Sequence, residues 1–174
     1  VVYLTAIESG LTPDSRVLDS PVSIKGWSPK NYKRGYIGEM SLRESLARSI
    51  NTIAVKISEH VGRDQVIKTA RRLGITAPLT TSPSLALGTF GVSLIELTGA
   101  YAVLANGGKG IWPFGLKEIN YSSGARLYHR RGDGAGQIIE PHHVKLMNNM
   151  MSEVILSGTG KIARLGIPAY GKTG

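Results

Sequence analysis

One pattern constrains this chain more than any other: a serine with a glutamate three residues on, set directly before an apolar run. It occurs twice, as Ser41-Leu42-Arg43-Glu44 and as Ser93-Leu94-Ile95-Glu96. In such a capping box the serine hydroxyl accepts the glutamate backbone N–H, and the glutamate carboxylate accepts the serine N–H. Two amides that would otherwise lack partners at a helix start are thereby satisfied. Helices are expected to begin just after Ser41 and just after Ser93. The first runs to about Arg48. Ser49-Ile50-Asn51 then interrupts it, and a second helix covers about 52–60 until Gly62. A third spans 63–73, with Gly74 in the C′ position that favours glycine. The helix after Ser93 carries Leu94, Leu97, Tyr101 and Leu104 on one stripe, which predicts a single buried face. It ends at Asn106-Gly107-Gly108.

Residues 1–8 are apolar and helix-compatible, with a stop near Gly10. Pro141 suits the first turn of a helix. Val144, Met147, Met151, Val154 and Ile155 give that helix a core face to about Ser157, before Gly158-Thr159-Gly160 breaks it. Residues 11–38, rich in Pro, Ser, Gly and Asp, read as loop with short extended pieces, and 78–92 as loop. Residues 111–121 and 125–130 predict a hairpin around Ser122-Ser123-Gly124. A short helical piece is expected at 161–165 and a strand at 169–174. The class is α+β, dominated by helices. No capping residue precedes Val1 and no closing element follows Gly174, so residues 1–174 are expected to be part of a larger domain cut at both ends.

Composition removes several function classes. There is no cysteine, hence no disulfide, iron–sulfur cluster or thiol nucleophile. No apolar run approaches ~20 residues, the length of a membrane span. Net charge is +9, from 21 Lys and Arg against 12 Asp and Glu. Small clusters lie at Lys30/Lys33/Arg34, Arg71-Arg72 and His129-Arg130-Arg131. Either they attract an anionic partner or they form a solvated face. Nucleic acid is disfavoured, because aromatics make up only 6% and do not interleave with the basic clusters. His142 and His143 are adjacent, so on a helix they point about 100° apart and form no zinc pair. No metal or cofactor is expected. Glu96 is read as a capping-box acid, and Asp64 as a charge at a helix N-terminus.

Residues 166–173 satisfy the G-x-x-x-x-G-K-[ST] pattern of a phosphate-binding loop. That loop needs a core strand before it and a helix opening at the lysine. Residues 161–165 are too short and too charged for the strand, so the match is expected to be accidental. Lys172-Thr173-Gly174 reads better as a unit of its own. An ammonium beside a hydroxyl on a strand edge clamps a carboxylate, and a glycine lets a substrate backbone lie close. Ser49 and Asn51, in the break between two helices, would be rigidly placed for proton relay and substrate alignment. They would equally serve as plain helix caps.

The order of several motifs adds a resemblance. Trp27-Ser28-Pro29-Lys30-Asn31-Tyr32 and then the run from Gly38 to Ser49-Ile50-Asn51 come first. Ser84-Leu85-Ala86-Leu87-Gly88, Ala100-Tyr101-Ala102 and Ala105-Asn106-Gly107-Gly108 follow. Gly158-Thr159-Gly160 and Gly171-Lys172-Thr173-Gly174 close the series. Together they resemble the transpeptidase domain of class A penicillin-binding proteins, bifunctional enzymes that polymerise and crosslink bacterial peptidoglycan. The resemblance covers nearly the whole chain and implies the helix-rich part of the β-lactamase/transpeptidase-like fold. One motif is absent: no serine here is followed by lysine three residues on, and the family's acylated serine lies in S-x-x-K. That motif is expected upstream of Val1.

The resemblance implies roles for the positions present. Ser49 would relay a proton to the leaving amine. Asn51 would bind the substrate amide and orient the absent lysine. Lys172 would supply positive charge, Thr173, with Lys172, would hold the terminal carboxylate of a D-Ala-D-Ala stem peptide or of a β-lactam, and Gly174 would lie against the substrate. The parent would sit on the bacterial inner membrane through an upstream anchor, with this domain on the periplasmic or extracellular side. A serine β-lactamase or D,D-carboxypeptidase would share Ser49, Asn51 and Lys172, but the blocks at 27–32 and 106–108 favour the bifunctional enzyme. Outside that class stands a non-catalytic basic binding module.

Overall fold

A seven-residue helix, α1 (Val2–Glu8), lies in the middle of the molecule with Val2 to Ile7 all buried. A helix apolar on every side must be enclosed by its neighbours. Those neighbours are α3 (Asn51–Val61), α4 (Arg63–Arg72) and α6 (Pro141–Leu156). α2 (Leu42–Ala47) packs along α6. Leu4, Ile7, Leu42, Ile53, Met150 and Val154 form the fully enclosed centre of one continuous core. Each such side chain contributes roughly 1.5–3 kcal/mol of burial. The methionine stripe of α6 lies in this core as its spacing predicted: Val144, Met147, Met151, Val154 and Ile155 are buried, joined by Met150. The computed structural model describes residues 1–132 and 134–174.

Both capping boxes form. Ser41 accepts Glu44 N–H and Ser93 accepts Glu96 N–H, and each glutamate carboxylate returns to its serine. Ser41 also ends a strand. β1 (Arg16–Asp19) pairs antiparallel with β2 (Gly38–Ser41), Arg16 facing Ser41 and Asp19 facing Gly38. The strand β2 therefore runs into α2 without a loop. Gly62, at φ 88°, ends α3 and starts α4. The loop expected at 78–92 contains a 3-10 turn, Pro83–Leu87.

Three expectations change. The second hairpin is real but shorter: β3 (Glu118–Asn120) pairs with β4 (Arg126–His129), every residue exposed, and 111–117 lie outside it. In α5 (Leu94–Ala105) most of the predicted stripe is turned away from the core, and only Leu104 of it is buried. Leu94 is 80% exposed and Leu97 43%, while Gly99, Ala100, Val103 and Leu104 are buried. This helix is apolar nearly all round, so periodicity could not choose a face. Packing chose the side with small residues, where Gly99 lies against Pro113. Finally, residues 169–174 do not form a strand. A strand exists through its ladder, and no partner strand lies beside this stretch among the described residues. Its recorded backbone bond is Gly171 N–H to Met151 C=O at 3.4 Å.

Candidate active site

The break between α2 and α3 is a tight reversal built on Ser49. Its φ is 56°, left-handed for a residue that carries a Cβ. That conformation costs roughly 1–2 kcal/mol and persists only where surrounding structure enforces it. Here Ser49 N–H donates to Leu46 C=O at 3.1 Å and Ile50 N–H to Ser45 C=O at 3.0 Å. The N-cap of α3 is Ile50, with no side-chain cap. Neither Ser49 nor Asn51 is therefore a cap, and both hydroxyl and amide are turned to other partners.

The partner of Ser49 comes from the far end of the chain. Lys172 Nζ donates to Ser49 Oγ at 2.7 Å across 123 residues. The same ammonium donates to Thr173 C=O at 2.7 Å and lies 3.4 Å from Thr173 Oγ1. Burial holds the Lys172 ammonium below its ordinary pKa. Asn51 Nδ2 donates to Lys30 C=O at 2.8 Å. A carbonyl only accepts, so this contact fixes the amide with Oδ1 turned away from Lys30. Ser49, Asn51, Thr173 and Gly174 line one open cleft of about 1110 Å³, with the 31–37 loop along one wall. The five predicted site residues therefore meet in one place, with Lys172 and Thr173 on an unpaired extended segment instead of a strand edge.

Two contributors stood outside the site residues expected from the sequence, although the first lies in the Gly158-Thr159-Gly160 motif of the resemblance. Thr159 Oγ1 lies 2.5 Å from Thr173 Oγ1, and Thr159 N–H donates to Ala47 C=O at 3.0 Å. The turn after α6 thus ties the 171–174 segment to the end of α2, just before Ser49. Gly158 permits this approach: a Cβ there would lie 2.3 Å from the Ala47 carbonyl oxygen. The second is Asp19, 1% exposed, which lies in a stretch legible only as loop and short extended pieces.

The phosphate-loop match lacks its setting. Only a 3-10 turn, Lys161–Ala163, precedes it, and no helix opens at Lys172. Glu96 is a capping acid that also accepts Thr76 N–H and Oγ1–H, each at 2.6 Å. Hydrogen bonds from Thr76 and then Ser93 pull its pKa down to about 2. Asp64 sits in the first turn of α4.

The Penicillin binding protein transpeptidase domain family model matches residues 1–174. Penicillin-binding protein 2D of Bacillus subtilis is 42% identical over 135 residues, covering 74% of this chain and 20% of its own length. Penicillin-binding protein 1A of Aquifex aeolicus is 34% identical over 181 residues, covering all of this chain and 25% of its own. The crystal structure of penicillin-binding protein 1A from Haemophilus influenzae superposes with a TM-score of 0.83 at 26% identity, over 98% of this chain and 30% of that one. The chain thus spans a quarter or less of the curated relatives described here. With its helical core, its Ser49–Asn51 turn facing Lys172 and a family match over the full 174 residues, the chain belongs to the penicillin-binding protein transpeptidase domain family.

Proposed function

We propose that these residues form the S-x-N and K-T-G side of a serine D,D-transpeptidase site in a parent protein that also polymerises glycan strands. The observation that carries this reading is the 2.7 Å contact from Lys172 Nζ to Ser49 Oγ. Two residues so distant in sequence share a cleft usefully only if one substrate needs both. The nucleophile is a serine of S-x-x-K outside these residues. Its Oγ attacks the carbonyl of the penultimate D-Ala, its proton passes to the neighbouring base, and the C–N bond breaks. The leaving amine takes a proton relayed through Ser49 Oγ. An acceptor amine then displaces the serine and completes the crosslink.

Within that step each residue has a task. Asn51 presents Oδ1 to the substrate amide. Thr173 Oγ1 and the Lys172 ammonium hold the terminal carboxylate, a charge-assisted pairing, and Gly174 leaves room for the substrate backbone. β-Lactams enter as mimics of the same acyl donor. Residues 1–174 form part of one transpeptidase domain, held outside the inner membrane by an anchor elsewhere in the parent. Among the described residues no helix is long and apolar enough to cross a membrane.

Fluorescent penicillin tests this on the full-length parent, which should be labelled once per chain. Thr173→Val removes a hydrogen bond to a charged group, worth roughly 1.5–3 kcal/mol, so acylation should slow about 10- to 150-fold. Asn51→Ala and Lys172→Ala should slow it about 10²- to 10³-fold, the scale of preorganised polar groups. A parent that takes no label, or three variants within about twofold of wild type, would leave the basic binding module as the better account.

A further inference from the structure

Behind the wall of the cleft lies a buried carboxylate that the proposed chemistry does not use. Asp19 ends β1 and is 1% exposed, yet no lysine or arginine forms an ion pair with it among the described residues. Its oxygens are instead filled by hydrogen-bond donors. Thr52 Oγ1 donates to Oδ1 at 2.5 Å, and Ile37 N–H to Oδ2 at 2.8 Å. Asn31 Nδ2 donates to both, at 3.0 and 3.2 Å. Thr52 is itself fully buried. Burial pushes the Asp19 carboxyl up, but Thr52, Ile37, Asn31 and the nearby Lys56 charge outweigh it and hold the group below its ordinary pKa.

These donors surround Asn51 on both sides. Thr52 follows it in the chain and also donates its N–H to Asn31 Oδ1 at 3.2 Å. Lys30, whose carbonyl accepts the Asn51 amide, is the residue before Asn31. Asn31 Nδ2 lies 3.3 Å from Gly35 C=O as well, so the loop that walls the cleft is gathered to the same carboxylate. One acid thus fixes both the backbone that carries Asn51 and the carbonyl that aims it.

We propose that Asp19 is a positioning residue for the transpeptidase site: through Asn31 and Thr52 it sets the orientation of the Asn51 amide. The proposal rests on the reading of Asn51 as a substrate-orienting group. All three partners of Asp19 are donors, so the site demands an acceptor-only group. In Asp19→Asn, either orientation turns an NH₂ towards the Asn31 Nδ2–H, and one of them also towards the Ile37 N–H, so donor faces donor and the cluster loses its fit. Displacements of about 1 Å at an aligning group slow reactions by as much as about 10²-fold.

The test uses the full-length parent and measures the acylation rate constant at saturating penicillin, normalised to the sites that finally label. Asp19→Asn should lower that constant about 10- to 100-fold while labelling still reaches one per chain. A role in folding alone would reduce the sites labelled and leave the constant unchanged. In an Asn51→Ala background the same substitution should change the rate less than about twofold, because the group it positions is gone. Thr52→Val should repeat the loss and Thr52→Ser should restore the rate, which carries the test if Asp19→Asn does not fold. Equal losses in both backgrounds, or a constant within about twofold of wild type, overturn the proposal. If wild type labels and Asn51→Ala alone is slow, the transpeptidase reading stands whatever Asp19 does. If wild type takes no label, both fall.

Discussion

Ser49 holds the least comfortable backbone in the site, φ 56°, with its Cβ crowding the carbonyl that follows. Its side chain must therefore be needed there, because glycine would relieve the strain. This separates two variants that remove the same hydroxyl. Ser49→Gly should be more stable than Ser49→Ala by about 1 kcal/mol in urea unfolding, the strain relieved being partly offset by the freedom of glycine in the unfolded chain. Acylation should fall alike in both. A Ser49→Ala variant that proves the more stable would show that the turn carries no strain. Lys172 and Thr173 complete the residue-scale design: one ammonium spans Ser49 and Thr173 C=O, and Thr159 pins the Thr173 hydroxyl from behind.

Among the elements, α5 shows how much a cap can carry. Its N-terminus holds Glu96, which accepts from Ser93 and also from Thr76, twenty residues earlier. The carboxyl titrates near 2 instead of its ordinary 4.5. A depressed carboxylate contributes stability above its unfolded pKa, and that contribution is lost as pH falls from about 4.5 towards 2. Glu96→Gln keeps a side chain able to close the capping box but removes the charge. The melting temperature of wild type should exceed that of Glu96→Gln at pH 7, and the gap should narrow as pH drops through this window. A gap that stays constant down to pH 2 would mean that Glu96 acts by shape alone. The capping boxes themselves were legible in the sequence because each needs only four adjacent residues. The buried face of α5 was not, since an almost wholly apolar helix offers several faces and only its neighbours select one.

For the molecule as a whole, two ligand tests separate what the cleft can hold from what it can do. The 174-residue chain contains no Ser-x-x-Lys, and in the proposed reading Lys172 and Thr173 hold charge without supplying an attacking oxygen. Penicillin should therefore leave the mass of this chain unchanged, although its polar groups converge on the cleft. Added mass of one penicillin per chain would locate a nucleophile within these residues. ATP or GTP with magnesium at millimolar levels should leave its thermal stability unchanged, because the glycine–lysine match at 166–173 opens no helix. Saturable micromolar binding of either nucleotide would restore that match as a site.

Local chemistry alone determined where the helices α2 to α6 start and stop, the break at Ser49-Ile50-Asn51 and the core stripe of α6. Caps, glycine stops and apolar spacing act within one or two turns of chain, so their signals lie in neighbouring letters. The order of motifs along the chain likewise marks the family, because it is a property of the sequence alone. Tertiary structure decided the rest. That Ser49 is a lysine's partner and not a cap depends on Lys172, 123 residues away. The importance of Asp19 depends on donors from a loop and from α3 that nothing in its own neighbourhood announces. The extended stretch at 169–174 reads as a strand in isolation, but a strand is a relation to a second chain segment, and only packing supplies or withholds that partner.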